Sequence, residues 1–344
     1  MIAFRRFRNT DPPALADLWN EAHPSRSAYP LRTPALLERW VFSKPYFDPD
    51  GLIIAYDDAD GSILGYVLAG FGPNADLSAL DRSNGVICSL AVRPAARRQG
   101  LGRQLVRKAE EYLTTRGSTV LWAGPRWPYC PFGFGIYGGT NCAGFLASDT
   151  TADPFFRSLG YEPDGTTLVF NKKLDAPLSI ADGRFGLLRR RYETQVLRAA
   201  GVPSWWHECV WGTLEPVEFR MVDRLANNFL AARAVVWELE GYGWRWGFPA
   251  AGILDIQVRE DLRRQGLGKL LLAQILRFLQ DQFFGICELH APAECPALVG
   301  LCRAATLEEV DTGISYVKKL APGPLPRAAD PAPGPPSPPT DPTG

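Results

Sequence analysis

The chain has 344 residues, enough for about two domains at roughly 150 residues each. Its 46% hydrophobic and 22% charged residues suffice for packed cores and exclude a globally disordered chain. Lys+Arg and Asp+Glu both number 37, so the formal net charge is zero; a general polyanion binder is excluded, and nucleic acid is not an expected partner.

No apolar run approaches the ~18 residues of a membrane span, so no membrane partner is expected. Residues 1–8 are charged and lack the apolar stretch of a secretory leader. Seven cysteines without CxxC spacing read as reduced thiols in a cytoplasm, with neither a disulfide frame nor a metal site.

In chain order, residues 2–8 read as a strand. Helices are expected at 12–21 and 34–42, each opened by a proline after Asp11 or Thr33. Strands at 52–56 and 63–69 flank the turn-forming run 57–61, and a third strand covers 86–92. A helix at 102–114 carries Leu105, Ala109 and Leu113 on one face. A strand at 119–123, a short helix at 153–159 and a strand at 167–172 complete this part. The later half of the pattern then recurs: strands near 218–222, 231–239 and 252–258, a helix at 268–283, a strand at 286–291, a helix at 296–304 and a strand at 313–319. The order implies an α/β chain with helices on the faces of a sheet. Residues 321–344 hold ten of the thirty prolines and almost no large apolar residue, so this tail is expected to be disordered.

The recurrence is sharpest at one motif. Residues 97–102 read Arg-Arg-Gln-Gly-Leu-Gly, and so do residues 263–268, at an offset of 166. Val92 and Val258 precede the motifs at the same distance, and Leu105-Val106 matches Leu271-Leu272 downstream. In each copy an apolar strand enters Arg-x-x-Gly-x-Gly and a helix starts at once. Free backbone N–H groups at the positive end of a helix, glycines that admit close approach and an arginine together predict a pyrophosphate site. A P-loop is excluded because Leu270 follows Lys269, and a Rossmann fingerprint because Leu105 and Leu271 stand at its third glycine.

Arg97–Gly102 after Leu90-Ala91-Val92, and Arg263–Gly268 after Ile256-Gln257-Val258, resemble the acetyl-CoA loop of the GNAT N-acetyltransferase superfamily. The resemblance implies a tandem GNAT protein. It would have two GNAT-like domains, 1–175 and 186–320, each a mixed, mostly antiparallel sheet flanked by helices. It further implies acetyl-CoA as co-substrate. The first coenzyme site would use Leu90, Ala91, Val92, Arg97, Arg98, Gln99, Gly100, Leu101, Gly102 and Arg103. The second would use Ile256, Gln257, Val258, Arg263, Arg264, Gln265, Gly266, Leu267, Gly268 and Lys269. Backbone groups of Leu90 and Val92, or Gln257 and Val258, would pair with the pantetheine arm.

The tyrosine that serves as acid in much of that family is missing from both copies: Phe156 and Cys302 stand in its place. For the catalytic base, attention falls on the second copy. Asp255 lies inside an apolar strand, where an unpaired carboxylate is costly, and Glu288 and His290 alternate on the neighbouring strand. Glu21 and His23, after the first helix, read by default as surface residues, and Cys88 and Cys302 as inert core thiols. The aromatic- and glycine-rich stretch 122–144 reads as an insertion that walls an acceptor pocket or packs between domains. Trp205, Trp206 and the aromatics of 238–246 read as core or interdomain residues. The expected function is transfer of an acetyl group to an amine of a small molecule or peptide. The alternatives are a non-catalytic acyl-CoA-binding regulator, or a chain with one active and one scaffold domain.

Overall fold

A computed structural model describes residues 1–198 and 201–320; the Pro-rich stretch 321–344 lies outside the described residues. The first half of the chain runs β1 (Ile2–Arg6), α1 (Pro12–Ala22), α2 (Ala35–Leu37), β2 (Leu52–Asp57), β3 (Ile63–Pro73), β4 (Leu80–Val92), α3 (Leu101–Thr115), β5 (Val120–Ala123), β6 (Phe145–Leu146), α4 (Ala152–Arg157) and β7 (Glu162–Lys173). The second runs α5 (Phe185–Arg191), β8 (Tyr192–Arg198), α6 (Trp205–Trp211), β9 (Val217–Asp223), β10 (Phe229–Glu238), α7 (Glu240–Trp246), β11 (Ala250–Val258), α8 (Leu267–Asp281), β12 (Ile286–Pro292), α9 (Pro296–Ala304) and β13 (Glu308–Lys319).

The helices form where apolar residues recur at helical spacing. In α8, Leu267, Leu271, Ile275 and Leu279 fall four apart and are buried against β9, β10 and β11. In α3, Leu101, Leu105, Ala109 and Leu113 do the same against β3 and β4. The helix expected at 34–42 is less regular. Its α-turn widens into a π-helical turn over Glu38–Phe42, which buries Trp40 and Val41. Strand β8 and helices α5, α6 and α7 were not legible in the sequence. They are seven residues each; the large residues of α6 and α7 serve contacts to the other half rather than a regular face, while Phe185 of α5 and Tyr192 of β8 each add one large side chain to the second core.

Among the described residues the strands form one mixed sheet in the order β1-β2-β3-β4-β5-β13-β7-β12-β11-β10-β9-β8, with β6 pairing β13 off this path. Two pairings are parallel: β4 with β5 from Asn84↔Val120 to Ile87↔Ala123, and β11 with β12 from Ala250↔Ile286 to Ile253↔Leu289. Both keep the offset of 166. Beyond Ile87 and Ile253 these strands part, opening a wedge in each half. A bulge accompanies each wedge, at Leu68/Ala69 opposite β4 and at Val235/Val236 opposite β11.

The centre of the sheet departs from two independent copies. β13, the last strand of the second half, pairs β5 of the first. β7, the last strand of the first half, pairs β12 of the second. The two also pair each other from Glu308↔Asn171 to Val317↔Glu162. Each half therefore completes its sheet with the other's final strand. The start of β13 lies 146 residues after that of β7, against 166 for the earlier elements, so the first half carries 20 extra residues between β5 and β7.

A chain ending at residue 175 lacks β13. It leaves the outer edge of β5 unpaired and removes Tyr316, 1% exposed, from the first half's core. Such a fragment is expected to show no cooperative thermal transition by circular dichroism, whereas residues 1–320 melt sharply. A sharp transition for the fragment contradicts the exchange.

Candidate active site

The two glycine-rich loops have the same local geometry. Arg98 and Arg264 take φ of 63° and 66°, and Gly100 and Gly266 take 80° and 95° as the residues before α3 and α8. The Arg97 guanidinium donates to the Val92 carbonyl at 3.0 Å, and Arg263 to Val258 at 3.2 Å. Gln99 and Gln265 donate to Ala95 and Asp261 at 3.2 and 3.3 Å. These contacts pin each loop to the strand before it and aim the first N–H groups of the helix outward.

What lies over the loops differs. A Cβ at Gly100 would meet nothing within 4 Å. The first loop opens onto a cavity of about 600 Å³, lined by Leu90, Ala91, Val92, Arg97, Arg98, Gly100, Leu101, Gly102 and Arg103 on one side. A Cβ at Gly266 would lie 3.1 Å from the Arg184 guanidinium carbon. Arg184 Nη1 donates to the Arg264 carbonyl at 3.3 Å, and Lys269 Nζ donates to the Ala181 carbonyl at 2.9 Å. Arg184 also grips Asp182 at 2.7 and 2.9 Å, which holds that carboxyl well below the usual carboxylate range. The segment between the halves thus lies across the second loop. Of the first-site expectations, Gln99 is turned back onto its own loop and is absent from the cavity lining.

The first cavity continues past Leu90 into the wedge between β4 and β5. Its walls there come from α1 (Leu15, Trp19, His23), the turn Leu37–Phe42, β3 (Tyr66, Leu68) and the 20-residue insertion (Phe132, Ile136, Tyr137). Leu15, Trp19 and His23 fall four residues apart at the inward side of α1. His23, read as a surface residue by default, is half-buried against the Trp19 ring (centroids 4.4 Å apart), with Tyr137 at 6.2 Å. Its Nε2 has no hydrogen-bond partner among the described residues. Burial pushes its pKa from 6.5 down to about 4 against the opposing charge of Asp149, so the imidazole is neutral at pH 7. The Tyr66 hydroxyl and Ser89 Oγ are 3.1 Å apart, and burial raises the Tyr66 phenol to about 12. The neighbouring Glu21 instead pairs with Arg93.

The second-copy base candidates do not line this cavity. Asp255 is ion-paired with Arg233 at 3.3 Å, and Arg233 also faces Glu218. Burial raises the Asp255 pKa while Arg233 opposes the shift. Glu288 is 1% exposed and sits between the halves. Its Oε1 accepts from Thr140 N at 2.8 Å, Thr140 Oγ1 at 3.1 Å and His290 Nε2 at 3.0 Å. With its amide turned to suit, Asn171 donates to Oε2 at 3.0 Å. Alternation on β12 did bring Glu288 and His290 together, but the insertion fills the space they face. Of the two alternatives for the insertion, packing between the halves is seen where Thr140 docks on β12, and Ile136 and Tyr137 also line the cavity. Trp206 Nε1 donates to the Pro128 carbonyl at 2.8 Å and Trp237 Nε1 to Thr140 at 3.1 Å, so these aromatics are interdomain core.

No hydroxyl stands at the family's acid position. Phe156 is stacked between Phe145 and Tyr316, with centroids 4.7 and 5.8 Å away. Cys302 is fully buried and its thiol is pushed up to about 12, and burial raises the Cys88 thiol as well.

The profile of the acetyltransferase (GNAT) family matches residues 13–126. A mycothiol acetyltransferase from Stackebrandtia nassauensis is 35% identical over 95 residues, 28% of each chain, so the match spans well under two thirds of that relative. A tandem GNAT protein from the clavulanic acid biosynthesis pathway superposes with a TM-score of 0.67 at 14% identity, covering 94% of this chain and 100% of its own. A GCN5-related N-acetyltransferase from Sphaerobacter thermophilus gives 0.61 at 16% identity, covering 94% and 96%. Both solved structures share the fold across both halves. No helix among the described residues is long and apolar enough to cross a membrane.

His23 carries a testable energetic signature. Its pKa is about 4 folded and near 6.5 unfolded, so between these values the unfolded chain binds the extra proton. Stability is expected to fall by up to ~1.4 kcal/mol per pH unit as pH drops through that window. His23→Gln should lose this slope. Denaturant midpoints at pH 7, 6 and 5 that run parallel in the two proteins would argue against a neutral His23.

Proposed function

We propose that this chain, a tandem GNAT protein whose residues 13–126 belong to the acetyltransferase (GNAT) family, is an acetyl-CoA-dependent N-acetyltransferase with one working cleft, in the first half. The observation that carries the proposal is the contrast between two loops of equal geometry, one open onto a 600 Å³ cavity and the other covered by Arg184 and Lys269. Of the readings open in the sequence, one active and one scaffold domain is favoured. The units at 1–175 and 186–320 remain the proposed domains, with their last strands exchanged. The cysteine pattern of the sequence, seven without CxxC spacing, favours a reducing compartment such as the cytoplasm.

The first site fits the coenzyme. The N–H groups from Arg98 to Arg103 at the start of α3 suit its pyrophosphate, and Arg97, Arg98 and Arg103 add positive charge. The edge of β4 from Leu90 to Val92, unpaired beyond Ile87, suits strand-like pairing with the pantetheine arm. When bound, acetyl-CoA supplies an activated acyl group as a thioester.

The acceptor's ammonium first releases a proton to solvent; the free nitrogen then uses its lone pair to form a bond to the acyl carbon, and the carbon–sulfur bond breaks with its electron pair going to sulfur. His23 Nε2 takes the proton released from nitrogen. Tyr66, kept protonated by burial, and Ser89 are bonded to each other, which leaves one O–H of the pair to offer to the carbonyl oxygen as it gains charge.

Calorimetry with acetyl-CoA is expected to give one site per chain. Gly100→Asp should abolish binding, and Gly266→Asp should leave it. His23→Gln should lower kcat about 100-fold, within the usual range for a general base, with coenzyme affinity unchanged. Two sites, or full turnover by His23→Gln, would overturn the assignment.

A further inference from the structure

The composition of the cleft walls beyond the coenzyme loop narrows the acceptor. We infer that it is a compact amine with an apolar body and a single positive charge, the aromatic or branched-chain alkylamine class. This rests on the proposed reading of the first cleft.

The chamber past Leu90 is walled by Leu15 and Trp19 of α1, Val41 and Phe42 of the π-helical turn, Leu68 of β3 and Phe132 of the insertion. These side chains offer no hydrogen bonds to hydroxyl or amide groups. Apart from His23, Tyr66, Ser89 and Tyr137 the side chains walling the chamber are apolar, so a sugar, a peptide backbone or a second ammonium seated against them would lose most of its water without replacement. An apolar body gains from the same walls, and the aromatic rings favour a flat or branched one.

Charge points the same way. Among the lining residues the one carboxylate is Asp149, whose Oδ1 is held by Thr151 Oγ1 at 2.7 Å and whose charge reaches His23. Arg97, Arg98 and Arg103 line the same cavity. One ammonium can be steered toward His23 by Asp149, whereas a polyamine or a lysine-rich peptide finds no second carboxylate in the lining, the three guanidinium groups being matched to the coenzyme's pyrophosphate. The other nearby acid, Glu21, is taken by Arg93.

Volume sets the size. The cavity of about 600 Å³ must hold the end of the pantetheine arm as well, which leaves room for a body of one ring or a short branched chain.

The test uses the full chain with acetyl-CoA and follows N-acetylated product by mass spectrometry. The probes are 2-phenylethylamine, isopentylamine, spermidine, glucosamine and a lysine-containing peptide. The two apolar amines are expected to exceed the others at least 100-fold in kcat/KM. Val41→Trp, which fills the chamber, should lower kcat/KM for 2-phenylethylamine at least 10-fold and leave coenzyme affinity unchanged. Val41→Phe makes the same test if the larger change impairs folding. Preference for spermidine, glucosamine or the peptide overturns the inference and leaves the acetyltransferase reading standing. If no amine is acetylated although acetyl-CoA binds, the transferase reading fails. Calorimetry of the coenzyme-loaded protein then decides the acceptor class: tighter binding of 2-phenylethylamine than of spermidine supports it, and the reverse overturns it.

Discussion

The exchange of β7 and β13 at the centre of the sheet is the constraint on which the rest of the molecule depends. β5 is short, four residues, and pairs β4 only over Asn84 to Ile87. Without β13 on its other side it would be a bare edge at the wedge where the cleft forms. The mirror contact, β12 against β7, does the same for the second half. Neither half can close its sheet from its own strands, so the two stand or fall together.

Under the proposed one-cleft reading, that dependence explains how the second half gives up ligand binding and is still indispensable. The second loop keeps every internal contact of the first, down to the Arg263–Val258 and Gln265–Asp261 hydrogen bonds. Those contacts build the start of α8, whose buried leucines anchor the second core, so they are retained for folding whatever lies above them. The unsatisfied N–H groups of a helix start still need a neighbour, and the segment through Ala181, Asp182 and Arg184 supplies one. The 20 extra residues of the first half act in the same sense at the other face. Thr140 and Trp237 close the space in front of Glu288, while Ile136 and Tyr137 shape the remaining cleft.

Elements with a strong period or a repeated motif were legible in the sequence. Both glycine-rich loops, α3, α8 and most strands fall where the residues put them, within a few positions. The cleft proposed here lies away from the residues singled out for the base, and the reason is physical. Asp255 drew attention as a carboxylate inside an apolar strand, and Glu288 and His290 because they alternate on the neighbouring strand; all three have partners. His23 looked ordinary because burial at the end of α1 depends on the insertion folding back over it from more than 100 residues away. One signal was present in the sequence: Leu15, Trp19 and His23 share the inward face of α1, so a histidine there continues an apolar stripe. The covering of the second loop could not be read, because the segment that covers it is a linker with no motif.

The missing tyrosine is less damaging to catalysis than it first appears. A thiolate such as that of the departing coenzyme has a pKa near ~8.5, so it leaves without a strong acid beside it. In the proposed chemistry the nitrogen, once bonded to the acyl carbon, holds its proton far more weakly than a free ammonium does. A neutral imidazole can therefore accept that proton. Once charged, His23 sits in a site whose burial has brought its pKa to about 4. That imidazolium is a stronger acid than the thiol, so passing the proton to sulfur is downhill. A single histidine can thus serve as base for the amine and as proton source for the thiolate. The aromatic stack around Phe156 is left free to hold α4 against β6 and β13.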